Sequence, residues 1–281
     1  MSKAYILFNP IAGGGKIKDD LDVLQVVIDD EVVFADLTEP GMPERILEGL
    51  ELDDYIILCG GDGTLNRFAN DTANMDIQNE ILYFPCGTGN DFAAEFHASY
   101  GSNPFVITQH LNNLPAVTVK GKTYRFLNGV GFGIDGYCCQ EGDRLRQIPG
   151  KKVNYTMIAI QGLLSKYKPT GATICIDGVT HRFEKVWIAP TMYGKYYGGG
   201  MIPAPQQKRG DNQLSLMVFH DSGKLRTLMI FPSIFKGTIT KHHKNVSVYC
   251  GREITVTFDE PRPLQIDGET ILDVVSYTAT R

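Results

Sequence analysis

The sequence predicts two domains of different architecture: an α/β domain with a parallel sheet, then a β-rich antiparallel domain. Three observations point there. As far as residue 118, apolar runs of strand length alternate with helix-spaced segments, the pattern of a parallel sheet covered on both faces. Beyond it, short segments alternate apolar and polar residues with period two around tight turns, as antiparallel strands do. The charge balance reverses at the same place: residues 1–118 carry 5 Lys/Arg against 19 Asp/Glu, and residues 119–281 carry 22 against 13. At 281 residues the chain is also long enough for one core to split into two. The expected division is 1–118 for the α/β domain and 119–270 for the β-rich domain. Residues 271–281 form a final strand that could return to the first domain.

The elements follow in order. Residues 5–8 are a first strand, too short in apolar character for a signal peptide. Residues 17–28 have helical spacing, 32–35 are strand-like, and 43–50 read as a helix opened by Pro43. Residues 55–59 are the clearest buried strand, stopped by Gly60 and Gly61. A helix over 64–70 and a strand over 81–84 complete the alternation. In the second domain, 117–126 alternate with period two around a turn. Residues 173–183 form a hairpin whose Asp177-Gly178 turn suits type I′, and 246–249 pair with 253–258. Helical insertions are expected near 153–166 and 224–235.

Composition excludes several classes. Hydrophobic residues at 43% and charged residues at 21% suit a packed protein and not a disordered one. No apolar run approaches the roughly 18 residues that span a bilayer. The six cysteines (59, 86, 138, 139, 175 and 250) contain no CxxC pair, so they read as reduced thiols in a cytosol and not as a zinc site.

In an open parallel sheet, ligands sit beyond the carboxyl ends of the strands. Four such ends share one chemistry here: Asn9 through Lys16 with three glycines, Asp36 through Glu39 with Thr38 between, Gly60-Gly61-Asp62-Gly63-Thr64-Leu65-Asn66, and Gly87-Thr88-Gly89-Asn90-Asp91-Phe92. Glycines let backbone N–H groups approach phosphate oxygens, and a following helix adds its positive end. Thr64 and Thr88 can cap those helices or bind phosphate. Asp62 and Asp91 would repel a phosphate unless a cation mediates, and Mg²⁺ is the usual mediator. The glycine-rich run ending at Lys16 is followed by Ile17, with no hydroxyl for Mg²⁺, so it is not a Walker A loop.

The segments 60–66 and 87–92 together resemble the diacylglycerol kinase catalytic family, which includes sphingosine kinases and bacterial soluble lipid kinases. Asn128-Gly129-Val130-Gly131-Phe132-Gly133-Ile134-Asp135 is similar to the opening of that family's second domain. Tyr197-Gly198-Gly199-Gly200-Met201 is similar to its triple-glycine motif, and Gln265-Ile266-Asp267-Gly268-Glu269 to its late acidic motif. The resemblance implies a fold like that of NAD kinases and diacylglycerol kinases, with Mg-ATP bound near Asn9, Thr38, Gly60, Gly61, Asp62, Gly63, Thr64, Asn66, Gly87, Thr88 and Asn90. It implies that Asp267 and Glu269 stand at the reaction centre between domains, one of them as base, with Asp62 and Asp91 as further catalytic acids. It also implies a structural Mg²⁺ near Asp211, with the carbonyls of Lys208 and Gln213. Two departures stand out: Tyr193-Gly194 where the family often has Asn-Gly, and Asp211-Asn212 where it often has Asp-Gly.

The chemistry expected is transfer of the γ-phosphoryl group of ATP to a lipid hydroxyl. Asp267 and Glu269 are read as alternating on one strand and sharing a face. Two acid-free stretches, 144–176 and 222–252, interleave basic and apolar residues and suit an anionic membrane surface. The expectation is therefore a cytoplasmic protein that associates peripherally with membranes and does not bind nucleic acid. An edge strand in the β-rich half could pair two copies into a homodimer. The rival readings are an NAD kinase-like enzyme and a non-catalytic nucleotide-binding regulator.

Overall fold

The computed structural model describes residues 2–10, 17–148 and 153–281. The chain divides into two compact units, residues 1–114 and 115–281.

In the first unit, β1 (Lys3–Phe8), α1 (Ile17–Val27), β2 (Glu31–Asp36), α2 (Met42–Gly49), β3 (Tyr55–Gly60), α3 (Asp62–Asp71) and β4 (Glu80–Pro85) alternate as expected. A short helix α4 (Asp91–Ala94), strand β5 (Phe105–Val106) and helix α5 (Thr108–Leu111) follow. The sheet order is β2-β1-β3-β4-β5. The first four strands are parallel and β5 is antiparallel to β4. Every residue of β3 after Tyr55 is buried, as its place inside a sheet covered on both faces requires. Ile6, Leu24, Ile57 and Phe84 form one core between sheet and helix α1. Buried Asp54 fastens the start of β1: one carboxylate oxygen accepts from Lys3 N at 2.8 Å, the other from Glu51 N at 2.9 Å.

The second unit opens with the hairpin β6 (Ala116–Val119) and β7 (Lys122–Arg125), followed by β8 (Gly129–Phe132) and helix α6 (Ile134–Arg146). Helix α7 (Tyr155–Gln161) runs directly into a π-helical turn, Gly162–Lys166. Strands β9 (Thr170–Ile176), β10 (Val179–Val186), β11 (Thr191–Met192) and β12 (Leu214–Phe219) come next, then α8 (Lys224–Ile230), which passes into a 3₁₀ turn, Phe231–Lys236. The last strands are β13 (Val246–Gly251), β14 (Glu253–Ile266) and β15 (Glu269–Thr280). The main sheet path is β13-β12-β11-β8-β14-β15-β6-β7, with β9 and β10 branching from β14. Asp177 and Gly178 both have positive φ, 46° and 84°, as a type I′ turn between β9 and β10 requires.

Two sequence expectations change. Strand β13 does not pair with β14: it pairs with β12, while β14 pairs with β15, β8 and β9. Only Arg252 separates the two strands, too little for a hairpin loop. The Asp177 carboxylate accepts from the N–H groups of Arg252 and Glu253, at 2.9 and 2.8 Å, and so steers the chain onto a new neighbour. Residues 271–280 stay in the second unit, as part of β15 between β14 and β6.

The second core gathers Trp187, Ile188, Met217 and Phe219 from the sheet with Ile158, Leu163, Ile230 and Ile234 from the helices. Helix α6 lies directly on β14: a Cβ placed on Gly136 would stand 2.0 Å from the carbonyl oxygen of Pro263. That contact generates a prediction. Gly136→Ala must push α6 off the sheet, so chemical denaturation should show a loss of about 1–3 kcal/mol. Unchanged stability would mean that the helix is free to shift.

Candidate active site

In the first unit, the loops after β3 and β4 are pressed backbone to backbone. A Cβ on Gly87 would come within 2.2 Å of Gly61 Cα, so only glycine permits the approach. Asn90 locks the second loop from within, its amide donating to Gly87 O at 2.8 Å while its Oδ1 accepts from Gly87 N at 3.2 Å. Buried Tyr83 spans both loops, its hydroxyl 3.1 Å from Gly60 O and 3.3 Å from Asn90 Oδ1. Asp62 completes the junction. Its two carboxylate oxygens accept from Asp91 N at 2.9 Å and Phe92 N at 2.8 Å, capping the first turn of α4 from the neighbouring loop.

The other expected nucleotide residues divide into exposed and inward sets. Gly63, Thr88 and Gly89 are exposed at the loop rim. Gly61 N-caps α3 with no side-chain cap hydrogen bond, and a helix start directs its first N–H groups outward. Thr64 is buried against Gly60, and buried Asn66 takes the amide of Asn70 on its carbonyl and its Oδ1. The N–H and hydroxyl of Thr38 both donate to Asp36 Oδ1 at 2.7 Å, closing the turn after β2. Asn9 is half-buried after β1, and the glycine-rich run from Ile11 to Lys16 lies outside the described residues. Asp91 is buried and contributes its N–H to the Asp62 junction.

In the second unit, Asp267 and Glu269 do not alternate on one strand, as the sequence suggested. Asp267 and Gly268 are the two turn residues between β14 and β15, with φ of 47° and 96°, and Ile266 pairs with Glu269 across the turn. The side chains therefore have different tasks. The Asp267 carboxylate accepts from Leu127 N at 2.5 Å, Asn128 N at 2.8 Å and Gly129 N at 3.0 Å. It fastens the turn to the segment leading into β8. Glu269 is exposed at the head of β15.

Behind the turn stands Asp135, to which the sequence alone assigns no role. It is buried at the start of α6. Gly136 N donates to it at 2.9 Å and the Tyr197 hydroxyl at 3.3 Å. The Gln265 side chain also hydrogen-bonds it, while Gln265 Oε1 accepts from Gly268 N at 2.7 Å. The acid-bearing turn is thus held from both sides, by Asp267 and through Gln265. Burial outweighs these hydrogen bonds and pushes the Asp135 carboxyl up to about 6. Burial marks this carboxyl, and only the packing around it reveals that.

The expected structural-metal residues do not fit a magnesium ion as they stand. The buried Gln207 amide Nε2 donates to the carbonyls of Lys208 at 3.1 Å and Gln213 at 3.3 Å, while its Oε1 accepts from Ser215 Oγ at 2.6 Å. The carbonyl of Asp211 accepts from Arg281 Nε at 2.8 Å, and its side chain is exposed. The lone pairs meant for the cation face N–H donors. Nearby, two guanidinium groups stand over the Tyr193 ring, Arg209 at 5.3 Å and Arg281 at 4.8 Å, a contact that the Asn expected there could not make.

Known proteins share this plan. The family model for the diacylglycerol kinase catalytic domain matches residues 3–117, and that for the YegS C-terminal NAD kinase beta sandwich-like domain matches residues 128–278. A Bacillus subtilis protein named "Putative lipid kinase YtlR" is 23% identical over 295 residues, 96% of this chain and 94% of that protein. A protein of Mycobacterium tuberculosis named diacylglycerol kinase is 26% identical over 212 residues, covering 70% of this chain and 67% of its own. A crystal structure described as a diacylglycerol kinase from Bacillus anthracis superposes with a TM-score of 0.68 at 21% identity, covering 100% of this chain and 94% of that one. That last likeness is one of fold.

Two predictions follow from this geometry. Without nucleotide, the melting temperature should be the same in EDTA as in excess magnesium, while Gln207→Ala loses its amide bonds and about 1–3 kcal/mol of stability. A wild-type melting point raised by magnesium would contradict the Gln207 assignment. The second concerns pH. The folded pKa of Asp135 lies above its unfolded value of 3.8. The native state therefore binds the proton more tightly, and this group's contribution to stability is lost as pH rises from about 4 to about 6. The displacement corresponds to about 3 kcal/mol. Asp135→Asn should gain stability relative to wild type across that window, read as the difference in melting temperature at each pH.

Proposed function

The chain belongs to the diacylglycerol kinase catalytic-domain family, and from that membership we propose that it transfers the γ-phosphoryl group of ATP to a hydroxyl of a diacylglycerol or related lipid. The observation that carries the reading is the junction of Gly61 against Gly87, with Asp62 fixed across it by two backbone N–H groups. Glycine loops held this tightly bring backbone donors close to phosphate oxygens. The rim residues Gly63, Thr88 and Gly89, with the start of α3, would take the nucleotide phosphates. Asp62, its orientation set in advance, would hold the magnesium that accompanies them. That ion, when bound, supplies neutralisation of the phosphate charge.

The acid pair divides its work. Asp267 already accepts from three backbone N–H groups, and taking a proton would disrupt them. Glu269 is exposed beside that fixed turn, so we assign it as the general base. Its carboxylate accepts the proton of the lipid hydroxyl as that oxygen forms a bond to the γ-phosphorus. The bond from the γ-phosphorus to the bridging oxygen breaks, and ADP leaves with that electron pair. Positioned proton acceptance of this kind contributes roughly 10²–10⁴-fold, and positioning and charge stabilisation supply the rest. Asp91 contributes through its N–H to Asp62, as a positioning residue.

The test is labelled ATP with three acceptors: diacylglycerol, a sphingoid base and NAD. Label should enter a lipid and not NAD. Glu269→Gln should lower kcat about 10²-fold or more with little change in nucleotide affinity. Asp62→Asn, which retains an acceptor for α4 where Ala would remove the cap, should abolish transfer with the fold intact. Label in NAD alone would replace the reading with its NAD kinase-like rival, and wild-type kcat in Glu269→Gln would remove the base.

A further inference from the structure

Helix α7 and its π-turn lie beside α8. The two segments are in contact, and Lys224 Nζ donates to Leu164 O at 3.2 Å. Their inner faces, Ile158 and Leu163 on one and Ile230 on the other, share the second-unit core. Their outer faces are apolar as well, where an ordinary amphipathic helix would be polar. Met157 is 50% exposed, Ile160 39% and Leu164 53%, at spacings of three and four that set them on one side. On α8, Leu225 is 73% and Met229 68% exposed, one turn apart. Large side chains left in water on two adjacent helices form a patch, not the scattered exposure common on any surface.

Charge indicates the occupant. The exposed cations Lys166, Lys168, Lys224, Arg226 and Lys236 lie along the same segments. Between residues 153 and 176, and between 222 and 252, the chain has no carboxylate side chain. Acids on adjoining elements are already paired: Glu141 with Arg144 at 3.0 Å, Asp143 with Arg146 at 3.0 Å, and Glu260 with Arg262 at 2.8 Å. Asp221, which precedes α8, faces His220 Nδ1 at 2.9 Å. A cationic surface with protruding Leu, Met and Ile has the chemistry that an anionic bilayer selects, with apolar side chains entering between headgroups and lysines meeting phosphate.

We propose that the α7–α8 face docks the protein on an anionic phospholipid surface, with Leu164, Leu225 and Met229 entering the interface. The proposal deepens the lipid-kinase reading by naming where the chain meets the membrane that stores its substrate.

The test uses the full chain without nucleotide, sedimented with vesicles of phosphatidylcholine alone or of equal parts phosphatidylcholine and phosphatidylglycerol. Wild type should partition onto the anionic vesicles and lose most of that binding in high salt. Leu225→Ser with Met229→Ser should lower the partition about tenfold or more, and Lys224→Gln with Arg226→Gln should lower it selectively for anionic vesicles. Melting temperature verifies the fold of each variant. If both folded variants sediment like wild type, or if wild type binds neither vesicle, the proposal is overturned. A dimer dissolved by the Leu225 and Met229 changes, without vesicle binding, would assign the face to a second copy and overturn it too. A parallel assay on a short-chain, water-soluble diacylglycerol separates the two readings. Its failure in wild type counts against the kinase assignment and leaves the vesicle result standing.

Discussion

The first unit depends on one carboxylate. Asp62 begins α3 and receives the first N–H groups of α4 from another strand's loop. Two helices that start on neighbouring strands are thereby fixed in phase with each other. The glycine contact between Gly61 and Gly87 is possible only because this charge and the Asn90 side chain hold the loops at that separation. A helix of four residues such as α4 has little stability of its own, so the cap is much of what maintains it. Removing this side chain would release the first turn of α4 and the approach of the two loops together.

The second unit solves a similar problem with a longer chain of contacts. The Asp267-Gly268 turn is strained for any residue but glycine at one position and tolerant of Asp at the other. Asp267 offsets that strain by accepting three N–H groups. Gln265 links the same turn to Asp135, which Tyr197 and Gly136 support. Asp135 is buried and Asp267 is committed to the backbone, while Glu269 is presented to solvent.

Much of this was legible in the sequence. The alternation in the first unit follows directly from apolar run length, because β3 is buried on both faces and leaves no ambiguity. The glycine loops announce themselves by composition, and the Asp177-Gly178 turn by its two residues. What composition does not carry is partner choice over distance. The step from β13 to β14 is held by Asp177, 75 positions from Arg252. The separate duties of Asp267 and Glu269 depend on where a turn ends, a matter of one residue. Gln207 is read as an ordinary polar residue until its amide is found among the carbonyls of Lys208 and Gln213. Asp135 sits in a quoted motif, but only burial makes it unusual.

The π-turn after α7 has a consequence for which side chains face inward. The buried positions run Ile158, Gly162 and Leu163, then Tyr167, and Tyr167 N reaches back five residues to Gly162 O at 2.8 Å. A regular helix would have brought Lys166 to that inner position, four residues on. The one extra residue in the turn acts as a phase shift. It tucks an aromatic ring beside Tyr137 and Trp187 and leaves the ammonium group outside; deleting one residue of the turn would restore the regular step of four with the ring still inside, whereas winding the full-length turn into a regular helix would exchange the ring for a charge in the interior.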